Sequence, residues 1–554
     1  MMKEYRINKV KVAGKGVLSI CLFALIPLMT ACDDFLDKLP DNRMELKTPS
    51  DIKELLVSAY PANHPAYLLE MYSDNTDECI NPQWAEADRF QRQAYNWDDI
   101  TETGQDESPQ ELWNRHYRSI ASANIAIDFI EEQNDKALYT ELLGEALLCR
   151  AYAMFQLSTV FCNAYNPATA NSEKGLPYPE HAEKVVGAKF DRGTLAELYD
   201  KIDADIQRGL PLVSNSYDRP KFHFTPDAAN AFAARFYLYK GDFAKAISHA
   251  SKVLGSNPAI KARNWDYYYS LNPNGDIRPE AYINANEKAN LMLQVVYSEW
   301  GAIYGPYRNG DRYAHSSRIC DDEDIRSMGP WGASGNVFKT SVWSNNALAK
   351  LFHAKIPYEF EYTDPQAGIG YAHSEFAVFT TEILLIERAE AYALSKNLNA
   401  AVNDLNTLLS IWMIAPTTLT LDDIVAFYNK VKYYEPKSAT PKKHFVKPVY
   451  AIDAEGSDQE SLLQCILHLK RILTVHEGFR MQDVKRYGIE IYRRQTNTSF
   501  TISDVTDTMT ADDPRRAIQL PKDVISAGLE GNDRRVVQDL GESQYLDQSY
   551  LFKK

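Results

Sequence analysis

The residues best suited to chemistry in this chain are aromatic. Of 8 tryptophans and 34 tyrosines, Trp84, Trp97, Trp265, Trp300, Trp331 and Trp343 fall outside helical patterns, in stretches rich in Gly, Pro, Asn and Asp. Trp113 and Trp412 lie on helical repeats and belong to a core. An uncharged, hydroxyl-bearing ring is bound at a wet surface by flat apolar platforms with a few hydrogen-bonding groups beside them. Trp97, Trp300 and Trp331, with Tyr267 and Tyr304, have Gly, Asn or Asp neighbours that would permit exposure, and Arg308 and Asn309 could serve hydroxyls. These seven are the candidate ligand-binding set. The alternative for each ring is that a long loop excursion packs its own aromatics.

Catalytic signatures are missing from the sequence. No G-x-S-x-G, H-E-x-x-H or phosphate-loop pattern occurs, and Gly368-Ile369-Gly370 lacks the third glycine of a dinucleotide site. Glu387 and Glu390 fall on a helical repeat among apolar neighbours, which reads as a structural or solvated pair, not as a glycosidase dyad bridging two elements. A binding protein is expected, not an enzyme. Asp321-Asp322-Glu323-Asp324 could hold a calcium ion but lacks the alternate spacing and glycine of a known loop; no other metal or cofactor is expected. Cys79, Cys149, Cys162, Cys320 and Cys465 are scattered with no C-x-x-C pair, so they imply neither a disulfide framework nor a zinc site. Cys149, Cys162 and Cys465 sit in apolar helical runs, as small buried hydrophobes do.

The elements that must position the aromatic loops are helical hairpins. Between Ala229 and Pro258, two apolar helical runs flank Lys240-Gly241-Asp242. Tyr237, Gly241, Phe243, Ala246, Leu254 and Pro258 have the spacing of a tetratricopeptide-type pair. One such pair cannot bury its own apolar face, and the chain supplies neighbours. Helical periodicity covers Gln110 to Ile130, Thr140 to Val160 and Phe190 to Leu212. It returns from Phe376 to Leu409 at an offset of 155 residues, which places Tyr392 on Tyr237 and Ala401 on Ala246. A last block runs from Ser461 to Tyr492 and precedes a turn-rich, strand-poor tail. Ser50 is the expected cap of a first helix, 51–60. Residues 61–109 read as loops with short helices, and Thr417 to Gly456 as surface loop with one short helix. Between Asn257 and His373 the composition predicts a long irregular excursion, and such loops are usually functional.

The N terminus reads as an address. A basic segment is followed by an apolar run, Val17 to Met29, too short to span a bilayer and suited to a signal-peptide core. It ends Leu28-Met29-Thr30-Ala31-Cys32, which resembles a bacterial lipobox with Cys32 as the lipidated, palmitate-bearing residue. Taking that +4 leader from the formal charge of −15 leaves −19 on the rest. So acidic a body argues against nucleic acid or an anionic membrane face as a partner.

Together the helical blocks and leader resemble the SusD/RagB family of Bacteroidetes outer-membrane lipoproteins. The resemblance rests on Phe35-Leu36-Asp37 after the cysteine, on Trp113-x-x-x-Tyr117-x-x-Ile120-x-x-x-Asn124 and on Glu145-Ala146-Leu147-x-x-Arg150-Ala151-Tyr152. The hairpin at Gly241-Asp242 and Glu477-Gly478-Phe479-Arg480-x-x-Asp483-x-x-Arg486-Tyr487-Gly488 complete it. Upstream of Glu477, where the family often has an Arg between glutamates, Leu469, Arg471 and Leu473 suggest packing in place of a polar staple. The resemblance implies a mostly α fold, a tetratricopeptide-like scaffold with long aromatic-rich loops. It further implies a lid on a SusC-like TonB-dependent transporter at the cell surface, capturing an oligosaccharide or, in some members, a peptide. A repeat scaffold that grips only the transporter is the remaining alternative. The expected organisation is signal peptide 1–31, acidic tether 32–49, helical scaffold 50–256, ligand-binding excursion 257–373 and C-terminal repeats with tail 374–554.

Overall fold

Many helix-forming segments in this sequence begin at side-chain caps, and many end at glycine or an extended residue. The computed structural model describes residues 46–534, apart from 80–88, 185–189, 274, 305–311, 333–334, 341, 346–349, 498 and 500. The helices that frame the fold include α1 (Pro109–Glu132), α2 (Thr140–Phe161), α3 (Leu195–Gly209), α4 (Pro226–Lys240), α5 (Phe243–Leu254), α6 (Thr381–Leu394), α7 (Leu398–Trp412), α8 (Asp458–Thr474) and α9 (Arg480–Tyr487). Ser108, Thr225 and Ser457 accept from backbone N–H groups at the starts of α1, α4 and α8, removing donors that the helix itself cannot satisfy. The first helix, Pro49–Val57, is capped not by Ser50 but by Thr48, in a reciprocal box with Asp51. Pro49 then occupies the first turn, where its missing N–H costs nothing.

The expected hairpin is α4 with α5. Gly241, at φ 84°, closes α4 in the left-handed region, and the Asp242 side chain caps α5. The second copy, α6 with α7, follows the 155-residue offset, with Lys396 at φ 63° in place of Gly241 and Asn397 capping where Asp242 does. The hairpins stack, because α6 packs on α5 and on α8. As a result α6 has only Tyr392 short of full burial. The fold is mostly helical, as the sequence implies, and no helix among the described residues is long and apolar enough to cross a membrane.

Strands are where the structure departs from the sequence reading. They are β1 (Asp77–Cys79), β2 (Asn290–Tyr297), β3 (Tyr313–Ala314), β4 (Val342–Asn345), β5 (Lys350–His353), β6 (Glu359–Asp364), β7 (Ile369–Thr380), β8 (Ile491–Thr496) and β9 (Ile502–Met509). The supposedly irregular 257–373 stretch contains an antiparallel β2-β7-β6 sheet and the β4-β5 pair. Its strand β2 is buried at nearly every position, so it shows none of the alternation by which a half-exposed strand is recognised. Phe376 to Thr380, taken as the start of a helix, completes β7. The tail holds β8 and β9 in a sheet of order β3-β1-β8-β9, with β1 parallel to β8. β8 reads as polar because of Arg493 and Arg494, yet both are buried. Arg493 donates to the carbonyls of Met71, Tyr72 and Ser73, and Arg494 donates to Glu323 Oε1 and the carbonyls of Glu435 and Pro436.

Buried charge ties these segments together. Glu323 lies against Arg318, Lys443, Arg471 and Arg494. Burial alone would raise its pKa, and the four cations hold it well below the ordinary carboxylate range. Asp74 takes a two-pronged bond from Arg480 at 2.7 and 2.8 Å. In α8, Arg471 donates to Asn75 Oδ1 and to the Asp74 carbonyl. The polar staple upstream of Glu477 is therefore present, carried by Arg471 itself between the buried Leu469 and Leu473.

Candidate ligand cleft

A roomy cleft of about 470 Å³ lies between the 97–110 segment and residues 515–525. That size is within the range of small-molecule sites. Its back wall is Trp97, which turns the chain with φ 58°. The indole Nε1 donates to the Tyr72 carbonyl at 2.9 Å. Its faces are covered by guanidinium groups, with Arg493 4.0 Å and Arg515 5.0 Å from a ring centroid. Asp507 and Asp513 in turn hold Arg515.

Around the mouth stand Asp98, Asp99, Thr101, Thr103, Gln110 and Lys522. The Asp98 carboxyl is shifted up, first by partial burial and then by Asp99 beside it. Asp99 is paired at 2.8 Å with Arg534. Acceptor carboxylates, donor amine and amide, and two hydroxyls can satisfy the alternating donors and acceptors of a hydroxyl-rich ligand. A second cavity, of about 70 Å³ between His64, Arg235, Phe376 and Phe479, is too small for a sugar ring. Arg235 fills its side, sandwiched between Phe379 and Phe479 and bonded to Glu387 at 2.7 Å.

Among the described side chains, those expected to form an aromatic platform do not come together. Trp300 is fully buried, stacked 4.8 Å from Tyr67 with Nε1 donating to the His476 carbonyl at 2.6 Å. Trp331 is buried against Phe338 and His468, and Trp265 is buried beside Tyr268 and Trp412. Each indole removes a large apolar surface from water, and for Trp97 and Trp300 a main-chain carbonyl takes the N–H, so burial has no polar cost. Of the seven, Trp97 alone lines the cleft and Tyr267, 57% exposed, alone reaches solvent among the side chains described. The Tyr304 side chain lies outside the described residues, as do Arg308, Asn309, Trp84, the Trp343 side chain and the lipobox Cys32. Tyr362 and Tyr371, 57% and 55% exposed on β6 and β7, are aromatic surfaces that loop composition could not have found.

The acidic run 321–324 does not converge on a calcium site. Asp321 and Asp322 are exposed, Glu323 points at four cations, and Asp324 faces His315 at 2.9 Å. Glu387 and Glu390 are structural, as expected. Glu390 receives Lys470, Arg486 and the Tyr487 hydroxyl.

Comparison with known proteins decides the fold. Residues 34–238 match the SusD-like family described as starch-binding, associating with outer membrane. A SusD superfamily protein from Bacteroides thetaiotaomicron superposes with a TM-score of 0.59 at 18% identity, covering 88% of this chain and 100% of that one. The fold is that of the SusD superfamily. A second member, from Bacteroides vulgatus, gives 0.57 at 18% identity over 88% of this chain and 99% of its own. A SusD-like carbohydrate binding protein from the same species gives 0.55 at 14% identity over 87% and 97%. No protein of curated function matches the sequence.

The SusD-like motifs turn out to be structural. Asn124 bridges the Pro179 carbonyl and Arg150, which pairs with Asp205. Gly478, at φ 80°, donates its N–H to Glu70, and a Cβ there would stand 2.7 Å from Ala66 Cα. Asp483 and Arg486 form the ion cluster with Glu390 and Lys470. None of these residues lines the cleft at Trp97.

Proposed function

We propose that this SusD-like protein is a lipid-anchored, cell-surface receptor that captures an oligosaccharide in the Trp97 cleft and passes it to a SusC-like TonB-dependent outer-membrane transporter. The observation that carries the reading is the cleft itself, a sugar-sized space with a rim of mixed donors and acceptors, on a fold whose solved members include a carbohydrate binding protein. The family description over residues 34–238, starch-binding and outer-membrane associated, supports the ligand class and the location. Cys32 would carry the lipid.

Calorimetry of the soluble chain, begun after Cys32, against a panel of oligosaccharides and peptides tests this reading. Saccharide binding should weaken by about 1–3 kcal/mol in Asp98→Ala or Lys522→Ala, the cost of an unmatched polar contact. Peptide binding without saccharide binding would transfer the site to a peptide ligand. Binding of the transporter alone would leave only a scaffold. Loss of saccharide binding in Tyr362→Ala and Tyr371→Ala, with the rim variants unaffected, would move the site to the β6–β7 hairpin. Palmitate labelling of the full chain should vanish in Cys32→Ala.

A further inference from the structure

Four side chains capable of holding a metal meet in the interior, well away in sequence from the cleft segments. They are His315, just after β3; Cys320 and Asp324, on and just beyond the Ser317–Asp322 helical turn; and His353, the last residue of β5. All four are fully buried, and one ligand atom from each lies within 4.8 Å of every other. A tetrahedral zinc with bonds of about 2.0–2.3 Å needs ligand separations of roughly 3.3–3.8 Å. The loosest pair therefore has to close by only about 1 Å.

Two observations fit a metal site, and the second is one that an ordinary buried ion pair would not show. His315 Nδ1 faces the Asn75 carbonyl at 2.9 Å, which fixes that nitrogen as the donor and turns Nε2 toward Asp324. Metal-binding histidines are oriented in this way by a carbonyl behind the ring. Asn75 is itself anchored, donating to Glu70 and accepting from Arg471. The second observation is unmet polarity. Neither ring nitrogen of His353 makes a hydrogen bond, and Asp324 Oδ1 has no partner either. His353 Nε2 stands 3.4 Å from Asp324 Oδ2 without the alignment of a bond. Such atoms in a dry interior cost free energy, and a cation held by one His353 nitrogen and by Asp324 would return part of it.

We infer that His315, Cys320, Asp324 and His353 form a structural zinc site. The donor set selects the metal. Two imidazoles and a thiolate suit zinc and are poor partners for calcium or magnesium, which prefer oxygen. Charge also balances, since a thiolate and a carboxylate cancel a doubly charged ion and leave the buried site neutral. With four protein ligands and no exposed face, the site has no position for substrate, so its role is to clamp the 313–324 segment to β5. The cysteine pattern hides it, because only one cysteine takes part and the ligands span 315–353.

The test uses the full mature chain on a purification tag free of histidine. After equilibration with Zn²⁺ and gel filtration, elemental analysis should find one zinc per chain, and chelation should lower the Tm. Replacement by Co²⁺ should produce the absorption of a tetrahedral site with a thiolate-to-metal charge-transfer band. Cys320→Ser and His353→Gln should each drop bound zinc from one per chain to background while far-UV circular dichroism stays native. If a variant does not fold, the cobalt spectrum and the chelation experiment on the unmodified chain still decide. The inference is overturned if the unmodified chain retains no zinc and its Tm ignores the metal. Full zinc binding by folded Cys320→Ser, or a cobalt spectrum lacking the thiolate band, would overturn it equally.

Discussion

The two hairpins, α4–α5 and α6–α7, share a backbone plan and differ in chemistry. At the 155-residue offset Gly241 becomes Lys396, Phe232 becomes Glu387, Arg235 becomes Glu390 and His249 becomes Asp404. In the first hairpin His249 lies 2.8 Å from Asn230 and stacks on Tyr237. In the second, Asp404 receives Arg388 and Glu390 receives Lys470 and Arg486. The cause is position. Helix α6 lies against α5 on one side and α8 on another, so polar groups on it must find ionic partners inside the protein. The repeat preserves where the chain turns, and location decides what each side chain must pair with.

The sharpest way to break this contrast is Glu390→Leu, which leaves Lys470 and Arg486 with one counter-charge between them in the interior. Chemical denaturation should show a loss of about 3–5 kcal/mol. Trp at Phe232, the matching position to Glu387, would not test charge; Ala246→Trp and Ala401→Trp test packing. Both sites are buried, and each should lose about 1–3 kcal/mol or more. If Ala246→Trp left stability intact but abolished ligand binding, scaffold and site would be reversed.

Acid should separate the hairpins next. Burial would raise the Glu390 pKa, but Arg486 and Lys470 override it and hold it at about 2, against 4.5 when unfolded. Its contribution is therefore complete above pH 4.5 and is lost as the pH falls from 4.5 towards 2. His249 is pushed down from 6.5 to about 4, by burial first and then by Lys252 and Lys245. It stays neutral when folded, so its contribution is complete above pH 6.5 and disappears between 6.5 and 4. Comparing pH–stability curves of the unmodified chain with His249→Asn and Glu390→Gln should place the two differences in those separate windows.

The smallest effects sharpen the turn. Gly241→Ala should cost about 1 kcal/mol through its left-handed φ, since the nearest atom to a new Cβ is 3.9 Å away, on Tyr450. Lys396→Gly should stabilise by about 0.5–1 kcal/mol for the same reason reversed. Thermal melts resolve both.

The hairpins were legible because Gly241, Ala246 and their counterparts express local rules of turning and close approach. The strands were less so. β2 is buried at nearly every position and β8 carries arginines whose partners lie 58 to 422 residues away, so neither has a local signature. Tryptophan neighbours misled for a related reason: Gly301 beside Trp300 serves close packing, since a Cβ there would meet the Pro357 carbonyl oxygen at 2.2 Å. Trp97 was reached by composition, but its cleft partner Lys522 has nothing in its surroundings to distinguish it. The His315 and His353 constellation was invisible because its spacing belongs to the fold and not to any short motif.

The Asp74–Arg480 bond joins residues 406 positions apart. At a synthesis rate of roughly 5–20 residues per second, Asp74 waits about 20–80 s before its partner exists. During that time the first segment has its carboxylate but no counter-ion, and sheet strand β1 has no β8 to lie beside. Truncations upstream of Arg480 should therefore yield degradation products in place of a smaller folded protein.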